Sequence, residues 1–363
     1  MDAASDTGCC LFAAGVAMII VLTRIWPTPE RPSLGTFVRE RVRGVTGVRV
    51  VKPRSNRLPW PLLYSLLFID ALRVRGSIRG IEAHMAVPTG LAGLALARLR
   101  RVPLVVYAHG RDVRDWRRKP LPIRWLTTFV LRHAHRVVTN STDTARHIRE
   151  LRVEPMIAPP GVDLAKFKVT PRPAQRRVLY VGGRTSGKGY EVAAGLADTL
   201  VGPWLRDVEP QEIPALISEH DVVLMPSVAE GFGLAAVEAI ASGRWVVASD
   251  VGGLREIVID GVNGTLVADG DFAGALARVP DYEPLELRRT VERFSLERSQ
   301  DAMAAIWEEV APRAASWSRR SATVEEGQHG GQSSQGGDPQ RDHQYRIRDE
   351  AGETPDDVVG TNQ

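Results

Sequence analysis

The chain alternates continuous apolar runs with amphipathic segments, and it does so twice along its length. Runs that are apolar at every position, rather than at every second one, are typical of parallel strands that helices cover on both faces. The predicted strands are 16–21, 45–51, 81–84, 103–109, 136–139 and 156–158, then 177–181, 221–225, 245–248 and 264–267. Helices are predicted between them, two of which begin at Lys188 and Gly233. The pattern predicts an α/β fold with two doubly wound, Rossmann-like domains, which bind ligands outside the carboxyl ends of their strands.

Composition divides the chain further. Residues 159–177 are rich in proline and charge, as in a linker. From residue 319 onward, 45 residues contain no Leu, Phe, Trp or Met, so they cannot bury enough apolar surface to fold. The apolar run at 11–22 is shorter than the roughly 20 residues that cross a bilayer, and its second half is predicted as the first strand. The predicted segments are an N-terminal extension (1–15), a first domain (16–165), a second domain (166–293), a C-terminal helix (294–318) and a disordered tail (319–363).

Positive charge is concentrated in the first domain. The 363 residues have a formal net charge of +4, but residues 31–124 hold 20 Lys or Arg against 5 Asp or Glu, a net charge of +15. The remaining residues therefore carry −11, and the first domain is expected to face something negative. Nucleic acid is not the expected partner, because the sequence has no zinc finger, no aromatic RNA-binding stretch and no recognition helix. The adjacent cysteines, Cys9 and Cys10, form neither a disulfide framework nor a four-ligand zinc site, which favours a reducing, cytoplasmic location.

A glycine-rich turn joins the first strand of the second domain to the helix after it. Gly182, Gly187 and Lys188 have the spacing of a nucleotide-triphosphatase P-loop, but Gly189 stands where that loop needs Ser or Thr to hold magnesium. A P-loop ATPase is therefore one hypothesis, and a solvated basic turn is another. The third is an anion site, in which glycine amides at a helix start act together with Arg184 and Lys188.

Two glutamates flank a second glycine-rich stretch. Glu230 and Glu238 are eight positions apart, and Gly231, Phe232 and Gly233 follow the first of them directly. A helix that begins near Gly233 carries Glu238 on its second turn and points its N-terminal amides at a phosphate. The two carboxylates can then accept hydrogen bonds from separate sets of hydroxyls, such as those of a sugar and a ribose. Solvated surface carboxylates are the alternative.

The segment that holds these glutamates, PSVAEGFGLAAVEAIASG, resembles the signature of glycosyltransferase family 4, the retaining GT-B glycosyltransferases. Other segments resemble that family in the same order, at 27–37, 108–113, 137–148, 157–167, 182–189 and 294–310. The resemblance implies two Rossmann-like domains that face a central cleft, the second of them abridged, and a last helix that crosses back to the first. It also implies retaining, metal-independent transfer of a sugar from a nucleotide-sugar donor, UDP- or GDP-linked, with no cofactor beyond that co-substrate.

The resemblance assigns roles by position. Glu230 is expected to contact the donor sugar and His109 to lie beside it, so these two are the expected catalytic residues; a histidine that merely ends a strand is the alternative. Glu238 is expected on the ribose, and Arg184 and Lys188 on the leaving diphosphate, whose charge develops in the transition state. The expected donor-binding residues are completed by Gly35, Gly231, Phe232, Gly233 and Leu234.

Three departures from the family pattern keep a second hypothesis open. Arg184 and Lys188 are closer together than expected, and the first glycine loop offers only Gly35. Only 38 positions separate Gly189 from Ser227, fewer than the family usually has, so the second domain is abridged where the nucleobase would bind. A non-catalytic relic of the same fold that binds a nucleotide sugar or a glycan is the alternative.

The acceptor is expected on the first domain. Residues 60–72 are apolar almost all round and are flanked by arginines, and residues 111–125 add Arg and Trp beside His109. One interpretation is a buried helix with a solvated basic rim. The other is a surface that docks on anionic lipid, peripheral at the inner face of the plasma membrane, and admits a glycan, polysaccharide, cell-envelope or lipid-linked acceptor.

Overall fold

The computed structural model describes residues 17–28, 31–53, 58–114, 116–206 and 208–312, all within one compact unit. The extension predicted at 1–15 and the tail predicted at 319–363 lie outside these residues. In the part that is described, no helix combines the length and the hydropathy needed to cross a membrane.

The first half of the chain forms a parallel sheet. Its strands are β1 (Met18–Leu22), β2 (Val48–Val51), β3 (Ile78–His84), β4 (Leu104–Ala108), β5 (Arg136–Thr139) and β6 (Met156–Ile157). They lie in the order β2-β1-β3-β4-β5-β6. Every residue of β1 and β4 is buried, which explains why these runs are apolar at each position. Strand β3 is the exception, because it carries Glu82 and His84 in a buried stretch.

Helices cover both faces of this sheet. They are α1 (Thr36–Val42), α2 (Trp60–Leu72), α3 (Leu91–Arg100), α4 (Leu121–His133) and α5 (Thr142–Arg149). Helices α2 to α5 pack on one face, where Leu67, Leu94, Val130 and Ile148 share a core. Helix α1 lies on the other face, which it covers through Val42.

The second half forms another parallel sheet. Its strands are β7 (Val178–Val181), β8 (Thr199–Val201), β9 (Val222–Met225), β10 (Trp245–Ser249) and β11 (Gly264–Val267), in the order β11-β10-β9-β7-β8. Its helices are α6 (Tyr190–Leu196), α7 (Ile213–Ser218), α8 (Leu234–Ala241), α9 (Leu254–Ile257), α10 (Phe272–Ala277) and α11 (Pro284–Arg289). Single 3-10 turns occur at Trp116–Arg118, Ser186–Lys188 and Glu292–Phe294, and a π-type turn occurs at Ala86–Gly90. Val162 and Phe167, in the predicted linker, are buried in the core of this second sheet.

The last helix, α12 (Leu296–Val310), returns to the first sheet. It lies with α1 on the same face, where Trp307 is fully buried. The chain therefore crosses between the sheets twice, and the two crossings are hydrogen-bonded to each other. The amide of Val162 donates to the carbonyl of Phe294, and the amide of Leu296 donates to the carbonyl of Val162, both at 2.9 Å.

This architecture confirms the predicted fold class, an α/β protein with two Rossmann-like sheets. Strand β8 lies in the short stretch between Gly189 and Ser227 and was not among the predicted strands. The predicted helix start at Lys188 is wrong by two residues, because Gly189 adopts a left-handed backbone (φ 69°) and α6 begins at Tyr190. Helix α7 has no counterpart in the sequence prediction, since its six residues are too few to display a helical period.

Candidate active site

A cleft of about 690 Å³ lies between the two sheets, at the carboxyl ends of β4, β5, β7 and β9. Small-molecule sites typically occupy about 300–1,000 Å³. Most of the predicted site residues line this cleft, namely His109, Lys188, Glu230, Gly231, Phe232, Gly233 and Leu234. Gly35, Arg184 and Glu238 are not part of its lining.

Lys188 and Glu230 form an ion pair on the second-domain wall of the cleft. Nζ of Lys188 lies 2.5 Å from Oε2 of Glu230. The lysine side chain is 41% exposed and the glutamate side chain 11%. The ammonium group is therefore accessible to solvent, whereas the carboxylate is largely enclosed. The pair therefore offers a charge-assisted donor for an anion and an acceptor for hydroxyl groups at one place.

The glycine-rich turn does not have P-loop geometry. The helix of a P-loop begins at its lysine, whereas here a 3-10 turn ends at Lys188 and Gly189 separates it from α6. A Cβ at position 189 would lie 1.8 Å from the carbonyl oxygen of Pro226. No Ser or Thr fits where a P-loop holds its magnesium, so the geometry contradicts the P-loop ATPase hypothesis.

Two predicted donor-binding residues lie away from the cleft lining. Arg184 is exposed, and its guanidinium lies 5.5 Å over the ring of Tyr190, so the side chain leaves the turn in another direction from Lys188. Gly35 is buried at the N-terminus of α1 with φ 72°, and a Cβ there would lie 2.2 Å from the carbonyl oxygen of Ile25. Phe37, two residues further along, lines the cleft instead.

The loop after Glu230 contacts the first domain directly. The hydroxyl of Ser141 donates to the carbonyl of Gly231 at 2.7 Å, and Arg114 donates to the carbonyl of Glu230. A Cβ on Gly231 would lie 2.6 Å from the carbonyl oxygen of His109, so glycine is required for this approach. Gly233 follows with φ 111° and directly precedes α8, which begins at Leu234, one residue after the predicted start. The amides at the start of α8 therefore lie beside His109, which directly follows β4.

Glu238 lies deeper on α8 than the cleft lining. It is four positions after Leu234, so the two share one face of the helix. Burial raises the pKa of Glu238 to about 7. Its carboxylate makes no hydrogen bond or ion pair with any residue in the described ranges. The carboxylate is half-buried, and an acceptor in such a place is costly to desolvate unless a ligand supplies the donor.

His109 directly follows β4 and forms the first-domain wall opposite the ion pair. Its Nε2 lies 2.8 Å from Nδ1 of His84, and its ring stacks on that of Tyr107. Burial, followed by the nearby His84 and Arg41, holds the pKa of His109 well below its usual 6.5. The imidazole is therefore neutral at neutral pH and can orient a hydroxyl group but not donate a proton as imidazolium.

Several cleft residues were not among the predicted catalytic or donor-binding residues. Arg111, Arg114, Asn140 and Ser227 all line it. The signal that finds them is positional, because each is a polar residue within six positions after a buried strand of a parallel sheet. Among the described residues, no three His, Cys, Asp or Glu side chains converge to hold a metal ion.

Two family models match consecutive parts of the chain. The model described as Glycosyltransferase Family 4 matches residues 9–166, and the one described as Glycosyl transferases group 1 matches residues 160–279.

Curated relatives are named D-inositol 3-phosphate glycosyltransferases. The one from Paenarthrobacter aurescens is 31% identical over 337 residues, which cover 74% of this chain and 80% of the relative. The one from Geodermatophilus obscurus is 32% identical over 256 residues, 53% of this chain and 56% of the relative. The one from Mycolicibacterium smegmatis is 38% identical over 170 residues, 43% of this chain and 38% of the relative. The chain thus spans about half or less of the length of some relatives and most of the length of another.

Solved structures share the fold at low sequence identity. Anabaena HepE, in complex with UDP and glucose, has a TM-score of 0.61 and 18% identity, with 80% of this chain and 99% of that chain covered. Sucrose-phosphate synthase from Thermosynechococcus elongatus has a TM-score of 0.62 and 17% identity, with 81% and 98% covered.

Proposed function

This chain belongs to glycosyltransferase family 4, and on that premise we propose that it transfers a sugar from a nucleotide-sugar donor to an acceptor, with retention at the anomeric carbon and without a metal ion. The observation that carries the proposal is the convergence of Lys188, Glu230 and the start of α8 opposite His109 in one cleft. The relative from P. aurescens, matched along most of its length and named as a glycosyltransferase, supports the same activity.

In this proposal the donor diphosphate replaces Glu230 as the partner of Lys188. Lys188 turns from Glu230 to the diphosphate and stabilises the negative charge that grows as the sugar leaves. Glu230 is then free to accept hydrogen bonds from hydroxyls of the donor sugar, and the amides of Phe232 to Leu234 face the diphosphate. Glu238 accepts from the ribose. Arg184 has no part in the site as the structure has it, because its side chain stacks on Tyr190.

UDP is the first donor nucleotide to test, because HepE is described in complex with UDP and glucose. A thermal-shift panel of UDP, GDP, UDP-glucose, UDP-N-acetylglucosamine and GDP-mannose, each without added metal, identifies the nucleotide. A ligand at 100 times its Kd stabilises the folded state by about 2.7 kcal/mol. We expect one nucleotide series to raise the melting temperature by several degrees and its sugar form to be turned over.

Substitution of the ion pair tests the assigned roles. Lys188→Met is expected to lower kcat/KM by about 100- to 1,000-fold, the range seen when one donor to the developing charge is removed. Lys166→Met is the matched control, since Lys166 pairs with Glu40 and Asp163 outside the cleft. Nucleotide binding without turnover across the panel would favour the non-catalytic relic. A protein that binds neither UDP nor GDP contradicts both hypotheses.

The acceptor proposed for this enzyme carries a negative charge. Arg111 lines the first-domain wall, and its guanidinium makes no hydrogen bond or ion pair with the residues that the structure describes. Its neighbour Arg114 is engaged with Asp143 and with the carbonyl of Glu230. An uncommitted arginine beside His109 suits a phosphate or carboxylate. The relatives named for D-inositol 3-phosphate favour a phosphorylated group.

We also propose that the outer side of helices α2 to α4 docks on an anionic membrane. Large apolar side chains are exposed on all three helices, with Leu62 at 48%, Leu99 at 64% and Trp125 at 63%. Arginines such as Arg73 and Arg117 stand exposed around them. Apolar anchors within a basic surface are typical of proteins that bind anionic lipid at the bilayer interface.

Liposome sedimentation tests this surface. Binding of the full chain to vesicles that contain phosphatidylglycerol is expected to exceed binding to phosphatidylcholine vesicles and to weaken with salt. The double variant Leu121→Ser/Trp125→Ser should lower binding several-fold. Ile259→Ser/Val262→Ser, which removes comparably exposed apolar groups from the second domain, should not. Binding that ignores both anionic lipid and salt contradicts the docking surface.

A further inference from the structure

A buried chain of polar groups runs from α12 through β3 to the cleft. Indole Nε1 of Trp307 donates to Oε2 of Glu82 at 3.2 Å, and Oε1 of Glu82 lies 3.0 Å from Nε2 of His84. Nδ1 of His84 lies 2.8 Å from Nε2 of His109. Arg41 donates to the same Oε1 of Glu82. We call Glu82, His84 and His109 the buried relay.

The strand registers explain why these groups meet. Glu82 and His84 are two positions apart on β3, so both side chains point to the face that α1 and α12 cover. His84 pairs with Tyr107 on β4, and His109 follows Tyr107 on the same face. Two neighbouring parallel strands thus aim their polar residues at one line of contacts, which ends at the cleft.

Stability alone does not account for this arrangement. Glu82 is 0% exposed, His84 1% and Arg41 3%. Desolvating such groups is costly, and replacing a buried ion pair by apolar residues of similar volume is often neutral or stabilising. Nε and Nη1 of Arg41 have no hydrogen-bond partner in the structure, so the network is not even fully satisfied. Within the described part of the chain, His109 is the member of this network that lines the cleft.

The charges determine where the protons lie. Burial alone would raise the pKa of Glu82, but Arg41, His84 and Trp307 outweigh it and hold the pKa at about 2. Burial lowers the pKa of His84, so a carboxylate faces a neutral imidazole. The carboxylate is the stronger acceptor for Nε2–H of His84, and Arg41 lies 3.0 Å from that nitrogen because both face the same oxygen. Nδ1 of His84 is then the acceptor for Nε2–H of His109.

We propose that Glu82 and His84 are positioning residues for His109, which keep its proton on Nε2 and leave Nδ1 as an acceptor for a hydroxyl of the bound donor sugar. The proposal rests on the proposed function, since it requires a sugar beside His109. It assigns to β3 a role in orienting the donor, although neither Glu82 nor His84 lines the cleft.

Nitrogen chemical shifts report the proton positions directly. The full chain is labelled with 15N-histidine, and long-range 1H–15N spectra are recorded at pH 7.5; its 8 histidines are assigned with single His→Asn variants. We expect His84 and His109 to be neutral, each with its proton on Nε2. This measurement needs no substrate, so it can be read whether or not a donor is known.

Two variants break the relay at different points. Glu82→Gln removes the anionic acceptor, and His84→Asn removes the ring between Glu82 and His109 while it leaves the pair of Arg41 with Glu82 intact. Each is expected to give His109 a mixture of proton positions and to lower kcat for the donor found in the panel about 10- to 100-fold, as misplaced or wrongly protonated groups do. UDP affinity should change less than 3-fold. Tyr107→Phe is the control, because it keeps the ring that stacks on His109 and loses only the hydroxyl that donates to Ala158.

The outcomes separate the relay from the proposed function. In an active protein, a wild-type proton on Nδ1 of His109 overturns the relay alone, as does a His84→Asn variant with unchanged spectrum and kcat. If Glu82→Gln does not fold because Arg41 loses its partner, the His84→Asn variant alone tests whether the relay positions His109. A wild-type protein that binds no nucleotide sugar overturns the proposed function, and with it the role of Nδ1 as an acceptor for the sugar.

Discussion

The carbonyl oxygen of Pro226 occupies the space that a side chain on Gly189 would need, and the backbone of Gly189 is left-handed (φ 69°). We therefore predict that Gly189→Ser, the change that would complete a P-loop sequence, lowers the free energy of unfolding by more than about 2 kcal/mol. Urea denaturation measures the change, and an ATPase assay with magnesium should remain at background.

Gly187 provides the matched control two positions earlier. A Cβ there meets no atom within 4 Å, and its backbone is not left-handed. Gly187→Ser should therefore alter the free energy of unfolding by no more than about 0.5 kcal/mol. A Gly189→Ser protein as stable as the wild type, or one that hydrolyses ATP, would contradict this account of the turn.

Glu238 links the donor site to stability through pH. Burial raises its pKa in the folded protein from 4.5 to about 7, so the folded state holds the proton more tightly than the unfolded chain does. Stability from this group is therefore lost as pH rises from about 4.5 to 7. Glu238→Gln should be more stable than the wild type by about 1–3 kcal/mol at pH 8, and nearly equal to it at pH 4.5. Urea unfolding at both pH values measures the difference.

Glu191→Gln is the control for this pH dependence, because Glu191 is exposed on α6. It should leave the stability difference between the two pH values unchanged. A Glu238→Gln variant with the pH profile of the wild type would show that the carboxyl titrates normally.

At the scale of elements, the second domain caps a helix of the first. The amide of Thr142, at the start of α5, donates to Oε1 of Glu256 at 2.6 Å, and Ser141 caps the same helix from within its own domain. A carboxylate on a helix N-terminus contributes roughly 1 kcal/mol. We predict that Glu256→Ala loosens the contact across the cleft, with a larger radius of gyration in small-angle scattering and weaker nucleotide binding.

Glu256→Gln is the control, because it removes the charge at this contact but keeps a hydrogen-bond acceptor. Its amide oxygen still accepts from Thr142, so the radius of gyration should stay near the wild-type value. If Glu256→Ala has the wild-type radius and binds nucleotide equally well, the cap does not hold the two domains together.

The elements also show what the sequence could predict. Strands β5 and β11 were predicted residue for residue, each from a short segment with two adjacent apolar residues, Val137–Val138 and Leu266–Val267. Helix starts were less accurate where a glycine such as Gly189 bends the chain. The buried relay lay beyond prediction, because Glu82 meets Arg41 and Trp307, which are 41 and 225 positions away. In the sequence, the buried relay was visible only as a charged residue, Glu82, within the predicted strand 81–84.

The site was predictable where its residues lie close together in the sequence. Glu230 and the residues up to Leu234 form one local segment, whose spacing alone places them together at the start of α8. Arg184 and Lys188 are equally local, but the 3-10 turn between them sends one side chain to Tyr190 and the other to Glu230. A sequence pattern fixes the order of residues, whereas packing determines which of them face the cleft.

At the scale of the whole molecule, part of the charge asymmetry is satisfied internally. The acidic end of α12 lies against the basic first domain, where Glu308 pairs with Arg79 at 2.9 Å and Glu309 pairs with Arg136. The outward positive charge is therefore smaller than the sequence count suggests. The excess that remains exposed is the part that supports an anionic acceptor or membrane.

The same helix makes the stability of the first sheet depend on the far end of the chain. Trp307 is 0% exposed, and a Cβ on Gly80 would lie 2.3 Å from its ring, so no other side chain fits beneath it. We predict that Trp307→Ala, which leaves a large cavity, lowers the free energy of unfolding by about 3–5 kcal/mol. Because that loss falls on the first sheet, we expect it to unfold before the second as denaturant is raised.

Trypsin in graded urea can follow the two sheets separately, since residues 31–124 contain 20 Lys or Arg. In Trp307→Ala, cleavage should begin there at a urea concentration that leaves a fragment with β7 to β11 resistant. Trp307→Phe, which keeps an aromatic ring in the core but loses the indole N–H to Glu82, should shift the midpoint less. Simultaneous loss of both sheets in Trp307→Ala, at the wild-type midpoint, would mean that α12 does not stabilise the first sheet.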